Sequence, residues 1–223
     1  MTSKITRNGA IAAAVTIADR DGIESLSMRK LARELGVEAM SLYHHVSNKS
    51  DILDGMVDVA FTQMGALPRD RPWAEVMRVR AHAMRTVLRR HPWALGLLES
   101  RTTPGPATLQ QHDDVLRCLR EAGFTLADAG HALALLDSYI FGFVLQEITL
   151  PFETSEELVE VTDSILAAQA AEAYPYLTQM AQEHVMQPGY SFGNEFDYGL
   201  DLILNGLSVV QADPRPEATV RGS

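Results

Sequence analysis

The 223-residue chain is 46% hydrophobic and 22% charged, the balance of a globular protein able to bury a sizeable core as one large domain or a small one plus a large one. Its net charge of −10 excludes a chain that is basic throughout, and its single cysteine, Cys118, excludes an intrachain disulfide framework and fits a reducing compartment. No uninterrupted apolar run approaches the ~18 residues of a membrane span, and the first residues lead into a polar-faced helix rather than a secretory leader; a cytoplasmic location is expected.

Apolar residues recur at helical spacing nearly throughout, with no strand-like alternation of useful length and no internal repeat, so the expected fold is all-α. Helices are predicted at 5–20, 27–35 and 39–45. A fourth, from about Lys49 to Met64, carries Ile52, Leu53, Met56, Val57, Ala60 and Phe61. After Pro68–Pro72, a long segment from Trp73 to Arg90 has Val76, Val79, Ala83 and Val87 on one side and its arginines elsewhere. A short helix at Trp93–Leu98 precedes the clearest loop, 102–106. Further helices are expected at Leu109–Ala122, Leu126–Ile148, Ser155–Ala173 and Glu195–Val209, with a frayed tail from Gln211. Cys118 falls on an apolar helical face, the setting of a buried structural thiol.

The segment 26–51 carries the most information. Leu31, Ala32 and Leu35 make one apolar stripe, and Leu42 and Val46 a second. Gly36 stands between them, where the first helix must end in a left-handed turn that glycine adopts without a Cβ clash. Such a pair, with a small residue where the helices approach, is the layout of a helix-turn-helix whose second helix enters the DNA major groove; two ordinary packed helices share the periodicity. With Leu42 and Val46 inward, Met40 and His44 face out, flanked by Ser41 and Tyr43. Ala39 lies in the turn that faces base edges, and Met40 suits thymine methyl groups. Arg29 is placed to reach a guanine edge, and Tyr43, His45 and Lys49 to reach phosphates. Charge follows the same division. Residues 1–50 hold seven of the 19 basic and five of the 29 acidic residues, net +2, leaving the remainder at −12. A basic head on an acidic body is compatible with DNA, since binding needs only a local basic face.

The run Leu31-Ala32-Arg33-Glu34-Leu35-Gly36-Val37, followed by Ser41-Leu42-Tyr43-His44-His45-Val46 and Asn48-Lys49, resembles the signature of TetR-family transcriptional repressors. A leading helix of the family's kind, Ile11 to Asp19 and then Gly22-Ile23 and Leu26-Ser27, extends the resemblance over about 55 residues. It implies a helix-turn-helix head over 1–48, an effector-binding and dimerisation body over 49–210, and a tail over 211–223. It also implies base contacts from Arg29, Ala39, Met40, Ser41 and Tyr43, and phosphate contacts from Ser27, His45 and Lys49. Ala39 and Met40 depart from residues often found there.

Two body helices bear on assembly. Leu126–Ile148 is apolar around most of its circumference, and Glu195–Val209 carries Phe196, Leu200, Ile203, Leu204 and Leu207 with Gly199 and Gly206 between. A helix apolar all round must be buried on every side, by its own chain or by a partner. The resemblance points to a homodimer, since these segments match the family's intersubunit four-helix bundle.

The stretch 123–146 is similar to the tetracycline-repressor branch. There the metal-chelate ligands correspond to Leu98 and Gln146 here, poor donors for a hard dication, so a magnesium-dependent effector is not expected. The resemblance implies a small organic effector, and the composition of the body points to a mainly apolar one. Candidate lining residues are His82 and His112 as polar groups, with Met84, Leu98, Leu116, Leu133, Tyr139 and Gln146 around them; at helical spacing the apolar members also fit a plain core. No cofactor is expected. Enzymatic readings lack support: no His-x-x-x-His pair, phosphate loop or nucleophile elbow is present. The expected function is a homodimeric repressor released from palindromic double-stranded operator DNA by its effector. The rival is a constitutive DNA-binding protein with a filled body.

Overall fold

The structure, a computed structural model, describes residues 5–100, 104–152, 155–168 and 173–212. Among them there are helices and turns but no strands. Two compact units are distinguished, residues 1–141 with 207–223, and residues 142–206.

The first unit begins with three helices: α1 (Arg7–Asp21), α2 (Met28–Glu34) and α3 (Ala39–Leu42). Each of the first two has a side-chain N-cap: the Thr6 hydroxyl accepts from Gly9 N–H at 3.1 Å and Ser27 from Lys30 N–H at 3.2 Å. Ala10, Ala14, Ile17 and Ala18 of α1 meet Leu26, Leu31, Ala32, Leu42 and Val46 in one core, all at most 3% exposed. Gly36 ends α2 at φ +66°, with Gly36 N–H on Arg33 O and Val37 N–H on Ala32 O, the paired bonds of a Schellman turn.

The second helix of this motif is shorter than predicted. Its α-helical core is Ala39–Leu42, and the chain then tightens, with His45 N–H and Val46 N–H both on Leu42 O. This tightening returns Val46 to the core before the next helix begins. That helix, α4 (Lys49–Thr62), is capped by Asn48, which accepts from Asp51 N–H at 3.0 Å, while Asp51 accepts from Ser47 N–H at 3.1 Å.

Four further helices follow: α5 (Trp73–Arg90), α6 (Trp93–Ser100), α7 (Pro106–Glu121) and α8 (Leu126–Thr149). The buried face of α5 is rotated from the predicted stripe. Val76 and Val87 are buried, but Val79 is exposed and Ala83 half-buried, while Met77, Ala81, Met84, Leu88 and Arg80 are buried. Arg80, 1% exposed, is inside because Asp137 of α8 lies opposite, with Nη2 2.8 Å from Oδ1. The helix α7 starts three residues before its predicted beginning because Asp58, on α4, caps it, accepting from Ala107 N–H at 2.7 Å and Thr108 N–H at 3.2 Å. A Cβ on Gly105 would collide with that Asp58 side chain.

Gly123, at φ +99°, ends α7, and Thr125 caps α8 in a reciprocal arrangement with Asp128. The cysteine expected in the core is half-buried, and that burial raises the Cys118 thiol pKa. Among the described residues α8 alone is long and apolar enough to cross a membrane by length and composition, at mean hydropathy 1.3. A core helix passes the same test. Ala129, Ala132, Leu136 and Ile140 of α8 are buried in the first unit, and Asp137 sits on its flank.

In the second unit, α9 (Ser155–Ala168) is followed by α10 (Pro175–Met180) and a π turn at Ala181–Val185, neither of the latter predicted. The expected continuation of α9 to Ala173 crosses residues 169–172, outside the described set, and the 102–106 loop is described only from Pro104 onward. Phe143 stacks on Phe192 at 4.9 Å and meets Phe196 edge-on at 5.1 Å, the aromatic centre of this unit. The last helix, α11 (Glu195–Ala212), runs into the segment expected to fray. Gln211 accepts from Trp73 Nε1 at 3.0 Å and donates to Ala122 O at 2.6 Å, holding the helix end within the first unit. Residues 213–223 of the expected tail are outside the described set.

The residues expected to bury against a partner, Leu200, Leu204 and Leu207, are already at most 7% exposed within the single chain. What α11 leaves uncovered is a different stripe, Tyr198, Leu202 and Val209, at 68%, 58% and 69%. On α8 the exposed large apolar residues are Leu126, Leu135 and Leu145.

Candidate nucleic-acid interface and cavity

The helix-turn-helix presents its candidate residues outward on a fixed base. Leu42 and Val46 anchor the second helix, leaving Met40 74% and Tyr43 47% exposed. Ser27, Arg29, His45 and Lys49 are also exposed, and Ala39 and Ser41 are half-buried beside them. Lys49 opens α4 and Ser27 opens α2, so both stand at helix starts where backbone N–H groups add to their attraction for phosphate. Behind this surface an ion-pair network stiffens the head. Arg20 reaches Asp21 at 3.0 Å and Glu34 at 3.2 Å, and Lys30 reaches Asp21 at 2.8 Å. Hydrogen bonds from Arg20 and Lys30 hold the Asp21 carboxyl down to about 2.

Helix α4 joins this head to a cavity. On one side Asp51 pairs with Arg7 at 2.6 Å, and a Cβ on Gly55 would run into the Ile11 side chain, so α1 and α4 are in close register. On another side Asp54, Val57 and Phe61 line a cavity of about 240 Å³. Leu98 of α6, Pro104 and Gly105 before α7, Thr108 and His112 of α7, and Asp137 and Phe141 of α8 complete it.

Of the candidate ligand residues, Leu98 and His112 line this cavity and the other six do not. Met84 is core, His82, Leu116, Leu133 and Tyr139 are half-buried elsewhere, and Gln146 is exposed. The residues that sequence reasoning missed are Asp54, Val57, Phe61, Thr108, Asp137 and Phe141, with Pro104 and Gly105 of the preceding loop. Their signal was ambiguous: Val57 and Phe61 stand at core spacing on α4, and Asp137 is one of three acidic residues on a mainly apolar helix.

Asp54 of α4 is one polar group of the cavity; the others, Thr108, His112 and Asp137, are on α7 and α8. His112 Nε2 is 3.8 Å from Asp137 Oδ2, and its ring meets Phe61 edge-on. Burial lowers the pKa of His112, against the raising effect of Asp137 and with a smaller lowering effect from Arg80. Among the described residues no three His, Cys, Asp or Glu side chains converge as a metal site requires. Leu98 offers no donor atom, and Gln146 is not among the lining residues.

A second polar cluster was also invisible in the sequence. Asp19 of α1 accepts from Trp93 Nε1 at 2.7 Å and from His91 Nδ1 at 2.7 Å, and His91 Nε2 lies 3.1 Å from Gln63 Oε1. His91 and Trp93 are buried. One carboxylate thus ties the first helix of the head to the elbow between α5 and α6.

Residues 10–56 match the family described as bacterial regulatory proteins, tetR family, and residues 66–211 match the tetracyclin repressor-like C-terminal domain. The chain belongs to the TetR family. TetR-family members are DNA-binding transcriptional regulators rather than enzymes, in agreement with the motif reading. An HTH-type transcriptional repressor, DrrR1, from Streptomyces coeruleorubidus is 31% identical, covering 96% of this chain and 81% of the relative. An HTH-type transcriptional regulator of Saccharopolyspora erythraea is 33% identical, covering 92% and 85%. Among solved structures, the TetR-family protein ActR of Streptomyces coelicolor in complex with (S)-DNPA aligns with a TM-score of 0.74. It is 25% identical, covering 93% of this chain and 98% of that one.

Proposed function

We propose that this TetR-family protein is a homodimeric repressor, acting in the cytoplasm, that leaves a palindromic operator when a small, mainly apolar molecule occupies the cavity beside α4. The division is a head over 1–48, with Arg29, Ala39, Met40, Ser41 and Tyr43 on bases and Ser27, His45 and Lys49 on phosphates, and a body over 49–210. The observation that carries the reading is the double role of α4, which packs on α1 through Asp51 and Gly55 and lines the cavity through Asp54, Val57 and Phe61. A molecule seated among the latter three displaces the helix on which the head rests. The two recognition helices of a dimer then no longer match successive major grooves, ~34–36 Å apart.

Release requires that ligand bind the DNA-incompetent arrangement more tightly, and the coupling is reciprocal: operator DNA lowers ligand affinity by the same factor. Burying a few hundred Å² of apolar surface at about 25 cal/mol per Å² supports micromolar binding after ordering costs, with no ion needed. ActR, solved with (S)-DNPA, is a relative in which a small molecule is bound. The dimer rests on the uncovered stripes of α8 and α11, which a second copy would cover. A thermal-shift screen of small organic molecules, followed by release of bound operator by the hits, tests this reading. Stabilising hits that also release DNA are expected. Hits that stabilise the protein and leave DNA bound would favour constitutive binding.

A further inference from the structure

The cavity has one polar edge, and its composition narrows what can fill it. Thr108 and His112 stand four residues apart on α7, on one helical face, and Asp137 faces them from α8. The Thr108 hydroxyl is buried at 5% exposure and has no hydrogen-bond partner, a state that costs free energy unless something supplies one. Asp137 Oδ2 and His112 Nε2 are 3.8 Å apart, too far to bond each other and close enough for one small polar atom to touch both. Behind them Arg80 is sealed from solvent with Nη2 2.8 Å from Asp137 Oδ1 in ion-pair contact, at angles that do not make a hydrogen bond. The carboxyl of Asp137 thus stands between the buried guanidinium on one side and His112 on the other, and its Oδ2 is an acceptor at the cavity edge. The remaining lining is Val57, Phe61, Leu98, Phe141, Pro104 and Gly105, with Asp54 of α4 as a second acidic side chain.

We infer that the effector is an aromatic molecule bearing a hydroxyl group, whose O–H donates to Asp137 and whose oxygen accepts from the His112 ring N–H while its ring lies among Phe61, Phe141 and Leu98. The Thr108 hydroxyl takes a second polar substituent or a bridging water. An acidic effector does not fit this edge, because its carboxylate would face that of Asp137 with Arg80 shielded behind. Arg80 is a positioning residue, acting through Asp137. This inference rests on the reading of the cavity as the effector site.

The test uses three ring-matched probes, 2-naphthol, naphthalene and 2-naphthoate, titrated into the full-length protein by calorimetry or tryptophan fluorescence. Wild type is expected to bind 2-naphthol about tenfold more tightly than naphthalene, with 2-naphthoate weakest. His112→Phe keeps the ring against Phe61 and removes the N–H donor, and should narrow the hydroxyl preference at least about threefold. Asp137→Asn alone strands Arg80 and can fail to fold, so the double change Arg80→Met with Asp137→Leu removes both charges together. The double variant should bind naphthalene as well as wild type does and lose the preference for 2-naphthol. Equal binding of naphthalene and 2-naphthol by wild type, or tightest binding of 2-naphthoate, overturns the hydroxyl inference and leaves the effector cavity standing. If none of the three binds wild type at millimolar concentration, the cavity reading itself fails and this inference with it.

Discussion

Removing the Asp19 carboxylate should destabilise the protein far more than its exposed position on α1 implies. The side chain is about one-third exposed, at 32%, yet it is the acceptor for two donors that are buried, His91 Nδ1 and Trp93 Nε1, both at 2.7 Å. Asp19→Ala leaves both without a partner. An unsatisfied buried donor costs roughly 1–3 kcal/mol, so the pair sums to about 2–6 kcal/mol. Asp19→Asn keeps one amide oxygen for the indole and should cost about 1 kcal/mol. Urea unfolding followed by Trp93 fluorescence measures the difference. At the usual slopes of ~1–3 kcal/mol per molar, the Ala midpoint should fall by about 1 M or more, with Asn between it and wild type. An Ala midpoint within about 0.2 M of wild type would refute the idea that this carboxylate fastens the head to the α5–α6 elbow.

Other expectations follow from the same surfaces. Tyr43→Ala and Lys49→Ala should each weaken operator binding, and the lysine change should reduce the slope of log K against log salt by about one, read by fluorescence anisotropy at several salt concentrations. Leu202→Glu, on the exposed stripe of α11, should yield a folded monomer in size-exclusion with light scattering. Leu204→Glu, at 3% exposure, should instead unfold the chain, because a carboxylate would enter its own core. EDTA should leave ligand-induced DNA release unchanged, and restoration by Mg²⁺ after its loss would return the metal-chelate reading. The Asp51 carboxyl is held below its ordinary value, chiefly by the Arg7 hydrogen bond and then by Ser47 N–H. A depressed folded pKa contributes stability that is complete above the ordinary carboxylate value of about 4 and is lost as pH falls through the folded one. Asp51→Asn should therefore flatten the acid limb of a thermal-melt series against pH and leave its neutral shape alone.

Much of the fold was legible because local signals agreed with tertiary ones. Trp73–Arg90 begins after a proline and ends at His91-Pro92, and the helix has those bounds. Gly36 takes the left-handed turn its position demanded. What escaped the sequence came from long-range partners. Arg80 reads as solvent-facing until Asp137, on another helix, is placed opposite it. The early start of α7 depends on a cap from Asp58, and the extension of α11 on bonds from Gln211 to Trp73 and Ala122. The short α10 lacks a buried residue, so no apolar stripe announces it. Periodicity marked Leu200, Leu204 and Leu207 as a face to be covered, but only the packed chain shows that it covers them itself. In the cavity the sequence singled out Leu98 and His112, whereas the aliphatic and aromatic walls on α4 and α8 were indistinguishable from core.

The central claim is that occupancy beside α4 controls the grip of the head on DNA. It is tested most directly by measuring operator affinity by anisotropy, with and without a saturating hit from the thermal-shift screen, in wild type and in Leu98→Trp. Leu98 lines the cavity, and an indole there takes up ligand space without touching the helix-turn-helix. The account predicts that the hit weakens operator binding at least about tenfold in wild type, a coupling of about 1.4 kcal/mol, and has little effect in Leu98→Trp, whose ligand-free operator affinity is unchanged. Equal release of DNA from both proteins would contradict it, as would a wild-type affinity indifferent to the bound hit.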